Sequence, residues 1–207
     1  MEIIQLKLSL TNCFLIRTDN KYVLIDTGYE YDWDLFCKRL KSVGVRLSDI
    51  SHIILTHHHD DHCGLLNKLL KENNNIQIIM SYLAKDLLLK GENENDILVE
   101  EEIRIKDIGI NLNGKILKTP GHTIDSISVL FDDGDCIVGD AAANMLQFAG
   151  TKYCVIFICN IDEYYESWRK IICGNSQRVF PAHGKPFSVE KLKINIGKNQ
   201  KKNMVMN

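Results

Sequence analysis

The sequence predicts an α/β fold in which two β-sheets pack together and helices lie outside them. Segments with alternating or continuous apolar residues, typical of strands, are interleaved with segments whose apolar residues recur at helical spacing. This order of elements occurs twice, and an acidic, Asn-rich stretch at residues 92–102 separates the two occurrences. We therefore expect one domain over residues 1–207, built from two similar halves joined by a loop at 92–102.

The first 28 residues predict three strands, with sequences IIQLKL, NCFLIRT and YVLIDTG, and Asp19-Asn20 predicts a tight turn between the last two. Apolar residues then recur at helical spacing from Trp33 to Val43, and Gly44 ends this helix. The rest of this half predicts a strand at 52–56, a helix that begins at 65 and ends at 73–75, a strand at 76–80 and a helix at 83–91.

The second half repeats this general order, although no sequence repeat accompanies it. Strands are predicted near residues 103, 116, 128 and 136, and a last strand at 178–180. A helix is predicted to begin at Asn160, because the apolar residues after it fall on one helical face. These residues are Ile161, Tyr164, Trp168, Ile171 and Ile172.

The composition is that of an ordinary globular protein, with 45% hydrophobic and 25% charged residues. A net charge of −2 argues against nucleic-acid binding, because phosphate contacts need clustered lysines and arginines. We interpret the one basic cluster as a solvated end of the chain; it contains Lys191, Lys193, Lys198, Lys201 and Lys202. The expected partner is a small-molecule substrate, and the sequence leaves the oligomeric state open.

Cysteine usage and the first residues predict a cytoplasmic protein. The seven cysteines form no CxxC pair, and the start MEIIQLKLSL has no basic region followed by a long apolar stretch. Both features are typical of a reducing compartment. No run approaches the about 18 apolar residues that a membrane span requires, so no membrane partner is expected.

Residues 54–64, ILTHHHDDHCG, contain the pattern His-x-His-x-Asp-His. In an extended segment successive side chains point to opposite sides, so His57 and His59 share a side while His58 faces away. Asp61 and His62 follow at the turn into the leucine-rich helix. Nitrogen and carboxylate donors of this kind suit zinc, with iron or manganese as possible substitutes.

Three further polar residues follow predicted strands elsewhere in the chain. His122 lies in TPGHT, Asp140 in IVGD and His183 in FPAHG. Taken singly, each residue is more often structural than a metal ligand. Because strands that run out into loops present side chains to a shared edge, the three together with residues 57–62 predict a metal site.

These motifs resemble the metallo-β-lactamase superfamily, and the early LIDTG segment at 24–28 adds to the resemblance. The resemblance implies a four-layer αββα sandwich of two mixed sheets with the site at one edge. It implies that one metal is held by His57, His59 and His122, a second by Asp61, His62 and His183, and that Asp140 bridges them. Asp26 would lie beside the site, although a turn aspartate is an equally good interpretation. His58 and Asp60 occupy variable positions of the motif and are not expected to be ligands.

With two Zn²⁺ ions, a metal-bound hydroxide is available at neutral pH and acts as the nucleophile. Two cations, two aspartates and the hydroxide leave the site near +1, which favours anionic or strongly polarised groups. Asp61 is also expected to be catalytic, accepting the proton of the nucleophile. Cys63 is interpreted as a small apolar helix residue rather than a nucleophile.

The predicted function is hydrolysis of a small ester, thioester or lactone. Departures from subfamily patterns bear on the substrate class. Only 24 residues follow His183, where glyoxalase II proteins append a helical region, and this argues against a typical glyoxalase II. Ala143 stands where quorum-quenching lactonases carry tyrosine, and this weakens a lactonase assignment. RNA-processing relatives carry inserted arms, for which this chain has no room. Flavodiiron proteins usually carry a carboxylate where this chain has His59, and add a flavin domain. Asp125 replaces a frequent glycine and would place an acid near the mouth of the site.

Two alternatives remain open at this point. The first is a mononuclear iron dioxygenase of the persulfide type, which would use His57, His122 and Asp140. The second is a metal-binding module without catalysis. The segment 141–159, apolar and aromatic, is expected either to line the pocket or to form ordinary core.

Overall fold

The computed structural model describes residues 2–88 and 95–196. The first sheet has the order β1-β2-β3-β4-β5-β6. Its strands are β1 Ile3–Lys7, β2 Asn12–Arg17, β3 Tyr22–Ile25, β4 Ile50–Ile54, β5 Gln77–Ser81 and β6 Ile97–Val99. Strands β1 to β3 form an antiparallel meander, whereas β3 to β6 run parallel to one another, so the sheet is mixed.

The second sheet has the order β12-β11-β10-β9-β8-β7. Its strands are β7 Ile103–Arg104, β8 Gly114–Lys118, β9 Ile127–Phe131, β10 Asp135–Gly139, β11 Arg178–Pro181 and β12 Phe187–Ser188. Only the pair β10 and β11 is parallel, because α4 Ile161–Cys173 connects these strands on the outside of the sheet.

Alternating side chains divide each sheet between an inner and an outer core. In β2, Phe14 and Ile16 face the second sheet, while Leu15 packs on the outer side. The inner core joins them to residues of the second sheet such as Val129 and Ile137. The outer cores are covered on one side by α1 Trp33–Ser42 and α3 Leu66–Glu72, and on the other by α4; the short helix α2 Asp60–Cys63 precedes α3 in the chain. The predicted four-layer αββα sandwich is confirmed.

A predicted helix and two strands illustrate where the structure differs from the sequence-based expectation. The helix predicted at 83–91 is a short 3₁₀ turn, Tyr82–Ala84, which Ser81 caps by accepting from the backbone N–H of Leu83; residues 89–94 lie outside the described residues. Strand β6 lies inside the stretch 92–102 expected to be a loop, because its apolar residues add a parallel strand beside β5. Strand β12 was not expected.

The sheets bring the ends of β3, β4, β10 and β11 to one edge of the sandwich. Backbone hydrogen bonds join the two sheets there: the N–H of Ile127 donates to Thr56 O at 2.8 Å, and the N–H of Asn12 donates to Ala182 O at 2.8 Å. This edge is where the predicted ligands follow their strands. Among the described residues, no helix has the length and apolar character that a bilayer crossing requires.

Trp168 connects α4 to this edge and offers a test of the outer core. Its side chain is fully buried, and its indole N–H donates to the carbonyl of Ala141, directly after Asp140. Trp168→Ala should lower the free energy of unfolding by about 3–5 kcal/mol in urea denaturation, because it leaves a large cavity. Phe148→Ala, at a side chain that is 91% exposed, is the control and should change it by less than about 0.5 kcal/mol. Equal effects would contradict this packing.

Candidate metal centre

Three histidines from two loops form the first group of polar atoms at the shared edge. His57 and His59 follow β4, and His122 lies in the loop between β8 and β9. His59 Nδ1 lies 3.1 Å from His57 Nε2 and 3.0 Å from His122 Nε2. The three ligand atoms lie within 4.8 Å of one another, close enough to hold one metal ion.

A second group lies beside the first and consists of Asp61, His62 and His183. Asp61 Oδ2 lies 3.1 Å from His183 Nε2 and 3.5 Å from His62 Nε2. Asp140, after β10, lies between the groups: Oδ2 is 3.3 Å from His122 Nε2, and Oδ1 is 3.3 Å from His183 Nε2. The structure therefore brings together all seven residues that the sequence singled out.

Two atoms at the centre are buried without a hydrogen bond of good geometry in the described part of the chain: His62 Nε2 and Asp140 Oδ1, which lie 3.6 Å apart. Buried polar atoms normally have partners, and each exception calls for an explanation. A cation held between them would satisfy both at once. The donor set of imidazole nitrogens and carboxylate oxygens fits zinc, and also iron.

The outer nitrogens of the histidines are held by oxygen atoms. His62 Nδ1 lies 2.8 Å from Asp26 Oδ2, His122 Nδ1 lies 2.6 Å from the carbonyl of Phe157, and His183 Nδ1 lies 3.1 Å from the carbonyl of Leu10. An acceptor on Nδ1 fixes the ring so that Nε2 faces the centre, which is how proteins orient metal-binding histidines.

Asp26 contacts residues of the candidate metal centre, and its contacts and backbone conformation distinguish it from an ordinary turn aspartate. Its backbone has φ 58°, a left-handed conformation that is uncommon for a residue other than glycine. Its buried carboxylate accepts from the Thr56 N–H at 2.8 Å and from Thr56 Oγ1 at 2.9 Å, besides contacting His62. Unfavourable backbone conformations of this kind concentrate at functional sites.

Glycine is required immediately before two of the candidate ligands. Gly139 has φ 52°, and a Cβ there would lie 2.4 Å from Thr56 Oγ1. Gly121 has φ 128°, and a Cβ there would lie 2.4 Å from the Cα of Tyr164 in α4. The absence of a side chain therefore lets β10 approach Thr56, and lets the loop that carries His122 approach α4.

The charges of the centre are strongly coupled. Burial alone would raise the pKa of Asp61 and Asp140, but interactions with His62 and His183 hold both values below the ordinary range. Burial alone would lower the pKa of His62 and His183, but the carboxylates raise both, that of His183 to about 10. Burial and the neighbouring histidines lower the pKa of His57 well below its usual value.

A cleft of about 670 Å³ opens beside the centre. His59 and Asp61 line both the cleft and the centre, so a molecule in the cleft reaches the candidate ligands. The cleft is also lined by Tyr29, Glu30, Tyr31, His58, Asp60, Cys63, Gly64, Leu66, Asn67, Leu87 and Leu88. Part of the segment 141–159 is core and part is exposed to solvent. Residues 141–143 are buried core, whereas Phe148 and Phe157 are largely exposed.

His58, at a variable position of the motif, contacts Asp125, which replaces a frequent glycine. His58 faces away from the candidate ligands, as expected, and its Nδ1 lies 2.8 Å from Asp125 Oδ1. Asp125 is expected near the mouth of the site; it lies behind His58, which lines the cleft, and its own side chain is fully buried. Cys63 donates its thiol to the carbonyl of His58, and burial together with nearby aspartates raises its pKa to about 12, which does not suit a nucleophile.

Sequence reasoning missed several groups that hold the site. Thr56 contacts Asp26, His57 and His62, and its position directly before the histidines is a usable signal. Thr11 donates its hydroxyl to Asp61 at 3.2 Å from a turn 50 residues earlier in the chain. The carbonyls of Leu10 and Phe157 have no side-chain signature at all.

Proteins of known sequence are similar to this chain. The C. elegans protein named β-lactamase-like protein 2 homolog is 32% identical over 181 residues, which cover 84% of this chain and 56% of that protein. A hydroxyacylglutathione hydrolase of Rhodopseudomonas palustris is 35% identical over 94 residues, which cover 45% of this chain and 33% of that one. The chain thus spans little more than half the length of the first relative and a third of the second.

Solved structures show the same fold. An archaeal metallo-β-lactamase superfamily protein from Sulfolobus tokodaii superposes with a TM-score of 0.66 at 22% identity, covering 91% of this chain and 80% of its own. A flavoprotein from Thermotoga maritima superposes with a TM-score of 0.72 at 23% identity, covering 88% and 51%. The sequence profile of the metallo-β-lactamase superfamily matches residues 6–183. The chain belongs to the metallo-β-lactamase superfamily.

Proposed function

We propose that this protein is a hydrolase that holds two zinc ions and cleaves a small ester, thioester or lactone. The observation that carries the proposal is the division of seven donors into two groups that share Asp140. His57, His59 and His122 would hold one ion, and Asp61, His62 and His183 the other. The partial likeness to a hydroxyacylglutathione hydrolase supports hydrolysis as the reaction class.

The bound cations would supply a nucleophilic hydroxide at neutral pH and polarise the carbonyl oxygen of the substrate. The chain's own part is to orient and to manage protons. Thr11 donates its hydroxyl to Asp61 Oδ2 at 3.2 Å, and this leaves Oδ1 to accept a hydrogen bond from the attacking water. As an ionised carboxylate, Asp61 would accept this hydrogen bond and so orient the attacking water and receive its proton as attack proceeds.

A second candidate is the mononuclear iron dioxygenase. The observation in its favour is that His57, His122 and Asp140 alone supply the two-histidine, one-carboxylate set that non-haem iron prefers. Flavo-diiron proteins are also among the structural neighbours, a likeness of fold alone. The complete second group, Asp61, His62 and His183, is unused in this reading, and for that reason we place it second.

The first test is metal analysis of the purified protein together with a substrate panel of thioester, lactone, phosphodiester and persulfide. We expect close to two zinc equivalents per chain and hydrolysis of the thioester or the lactone. Iron as the dominant metal, with oxygen uptake on the persulfide, would establish the second candidate instead. A zinc content near zero after expression in zinc-replete medium would exclude the proposal.

Adjacent histidines of the motif offer a matched pair of variants. His59→Ala should weaken metal binding by more than about 100-fold. Loss of a residue that only orients a ligand costs about 10–100-fold in affinity, and this variant removes a ligand itself. His58→Ala should leave the metal content unchanged, because its ring contacts Asp125 instead of the centre. Competition with a chromophoric chelator measures both affinities, and equal losses would show that the assignment of faces is wrong.

Zinc binding should release about three protons per chain at pH 7: two because ligation needs the free nitrogen lone pairs of His62 and His183, and one from the water that would ionise to the nucleophilic hydroxide. Both pKa values are raised in the metal-free site, that of His183 to about 10, so both rings carry a proton at neutral pH. Calorimetry in buffers of different ionisation enthalpy counts the protons. The number should fall as the pH rises through about 10, and a count of one or fewer at pH 7 would show that His62 and His183 carry no extra protons in the metal-free site.

A further inference from the structure

His58 lies between two candidate ligands and belongs to neither group. Its Nδ1 contacts Asp125 at 2.8 Å, while its side chain is 28% exposed and lines the cleft beside the centre. Since Nδ1 is occupied, Nε2 is the ring atom left to contact a molecule in the cleft. The imidazole thus presents one polar atom next to the candidate ligands His59 and Asp61.

Asp125 is costly to keep where it is. Its side chain is fully buried, and Oδ2 has no hydrogen-bond partner in the described residues. The surrounding loop closes without it: the N–H of Thr119 donates to Ser126 O, and Thr123 Oγ1 contacts Ser126 Oγ at 2.6 Å. Burying a carboxylate with one oxygen unpaired opposes folding, so its role lies in the contact with His58.

The contact repeats the one that Asp26 makes with His62. Both carboxylates are buried, and both lie 2.8 Å from the Nδ1 of a histidine in the same motif. His62 turns its Nε2 to the metal centre, whereas His58 belongs to none of the possible metal-binding groups among the described residues. Asp26 fixes the ring of His62 toward the metal centre, and by the same kind of contact Asp125 fixes the ring of His58 toward the cleft.

The walls of the cleft describe what fits there. Tyr29 and Tyr31 stack at 4.8 Å and, with Leu87, provide aromatic and apolar surface. Glu30 and Asp60 also line the cleft and repel an anionic group. The occupant best matched to these walls is therefore uncharged and partly apolar, with one polar group for the imidazole.

We propose that His58, positioned by Asp125, binds the substrate in this cleft through a hydrogen bond to a hydroxyl or amide group beside an uncharged, apolar portion of the molecule. Hydroxyl and amide groups both donate and accept, so either suits the ring. This inference rests on the proposed hydrolase function and names the class of ester or thioester: one that carries such a polar group near the scissile bond. Asp125 is a positioning residue that acts through His58.

Two isosteric variants separate this role from metal binding. Asp26→Asn should weaken zinc affinity by about 10–100-fold, because it loosens a metal-binding histidine. Asp125→Asn should leave the zinc content unchanged and raise the KM for a hydroxylated thioester by about tenfold, with kcat much less affected. Loss of zinc from both variants, or a change in kcat alone for Asp125→Asn, would overturn the proposal.

Four thioesters test which group is recognised: butyryl and 3-hydroxybutyryl esters of ethanethiol, and the same two esters of N-acetylcysteamine. The zinc-loaded protein should prefer either the 3-hydroxybutyryl ester over the butyryl ester, or the N-acetylcysteamine ester over the ethanethiol ester, by about tenfold in kcat/KM. His58→Leu should abolish this preference, and His58→Gln, which keeps a polar group near the position of Nε2, should retain part of it. A preference unchanged in His58→Leu, or none in the wild type, would overturn the proposal.

A binding measurement separates failure of this inference from failure of the hydrolase proposal. With ¹⁵N-labelled histidine, addition of 3-hydroxybutyramide to the zinc-loaded protein should shift the His58 Nε2 resonance, and Asp125→Asn should reduce that shift. If the His58 resonance shifts but no thioester is hydrolysed, the binding role of His58 is supported and the proposed hydrolase function is excluded. Hydrolysis without any shift at His58 would remove the binding role alone.

Discussion

The apolar contact between the two sheets is the constraint on which the rest of this molecule depends. Phe14, Ile16 and Ile25 of the first sheet and Val129 and Ile137 of the second belong to one buried cluster. Close packing of such a core resists movement of one sheet relative to the other. The strand ends that carry the candidate ligands therefore meet at one edge, and the geometry of the centre follows from packing at a distance from it.

The centre itself opposes folding, and the surrounding structure supports it. It gathers buried carboxylates and imidazoles, leaves two central atoms without hydrogen bonds, and holds Asp26 in a left-handed conformation. Such groups are stabilised only when outer partners satisfy them. Thr56 provides much of this support, because it contacts Asp26 and His57 directly and packs against Gly139. A cation in the centre would offset much of the remaining cost.

The layers and the seven candidate ligands could be predicted because both leave local signals. Alternation of apolar residues reports which strands lie between layers, and histidines after strands report an edge. The helix expected at 83–91 was wrong because apolar spacing does not reveal that Ser81 caps a single turn. The burial of Asp125 could not be predicted because it depends on contact with His58, which lies 67 residues earlier. Backbone carbonyls such as that of Leu10 contact His183 without any signal in residue type.

That carbonyl ties the turn between β1 and β2 to a histidine 173 positions later. Because closure entropy grows only slowly with loop length, this contact costs little more to close than the one across the 63 positions between His59 and His122. Both groups of the centre therefore depend on the same completed pair of sheets. The Leu10 carbonyl makes the first turn of the chain part of the second group, although that turn contributes none of the candidate ligands.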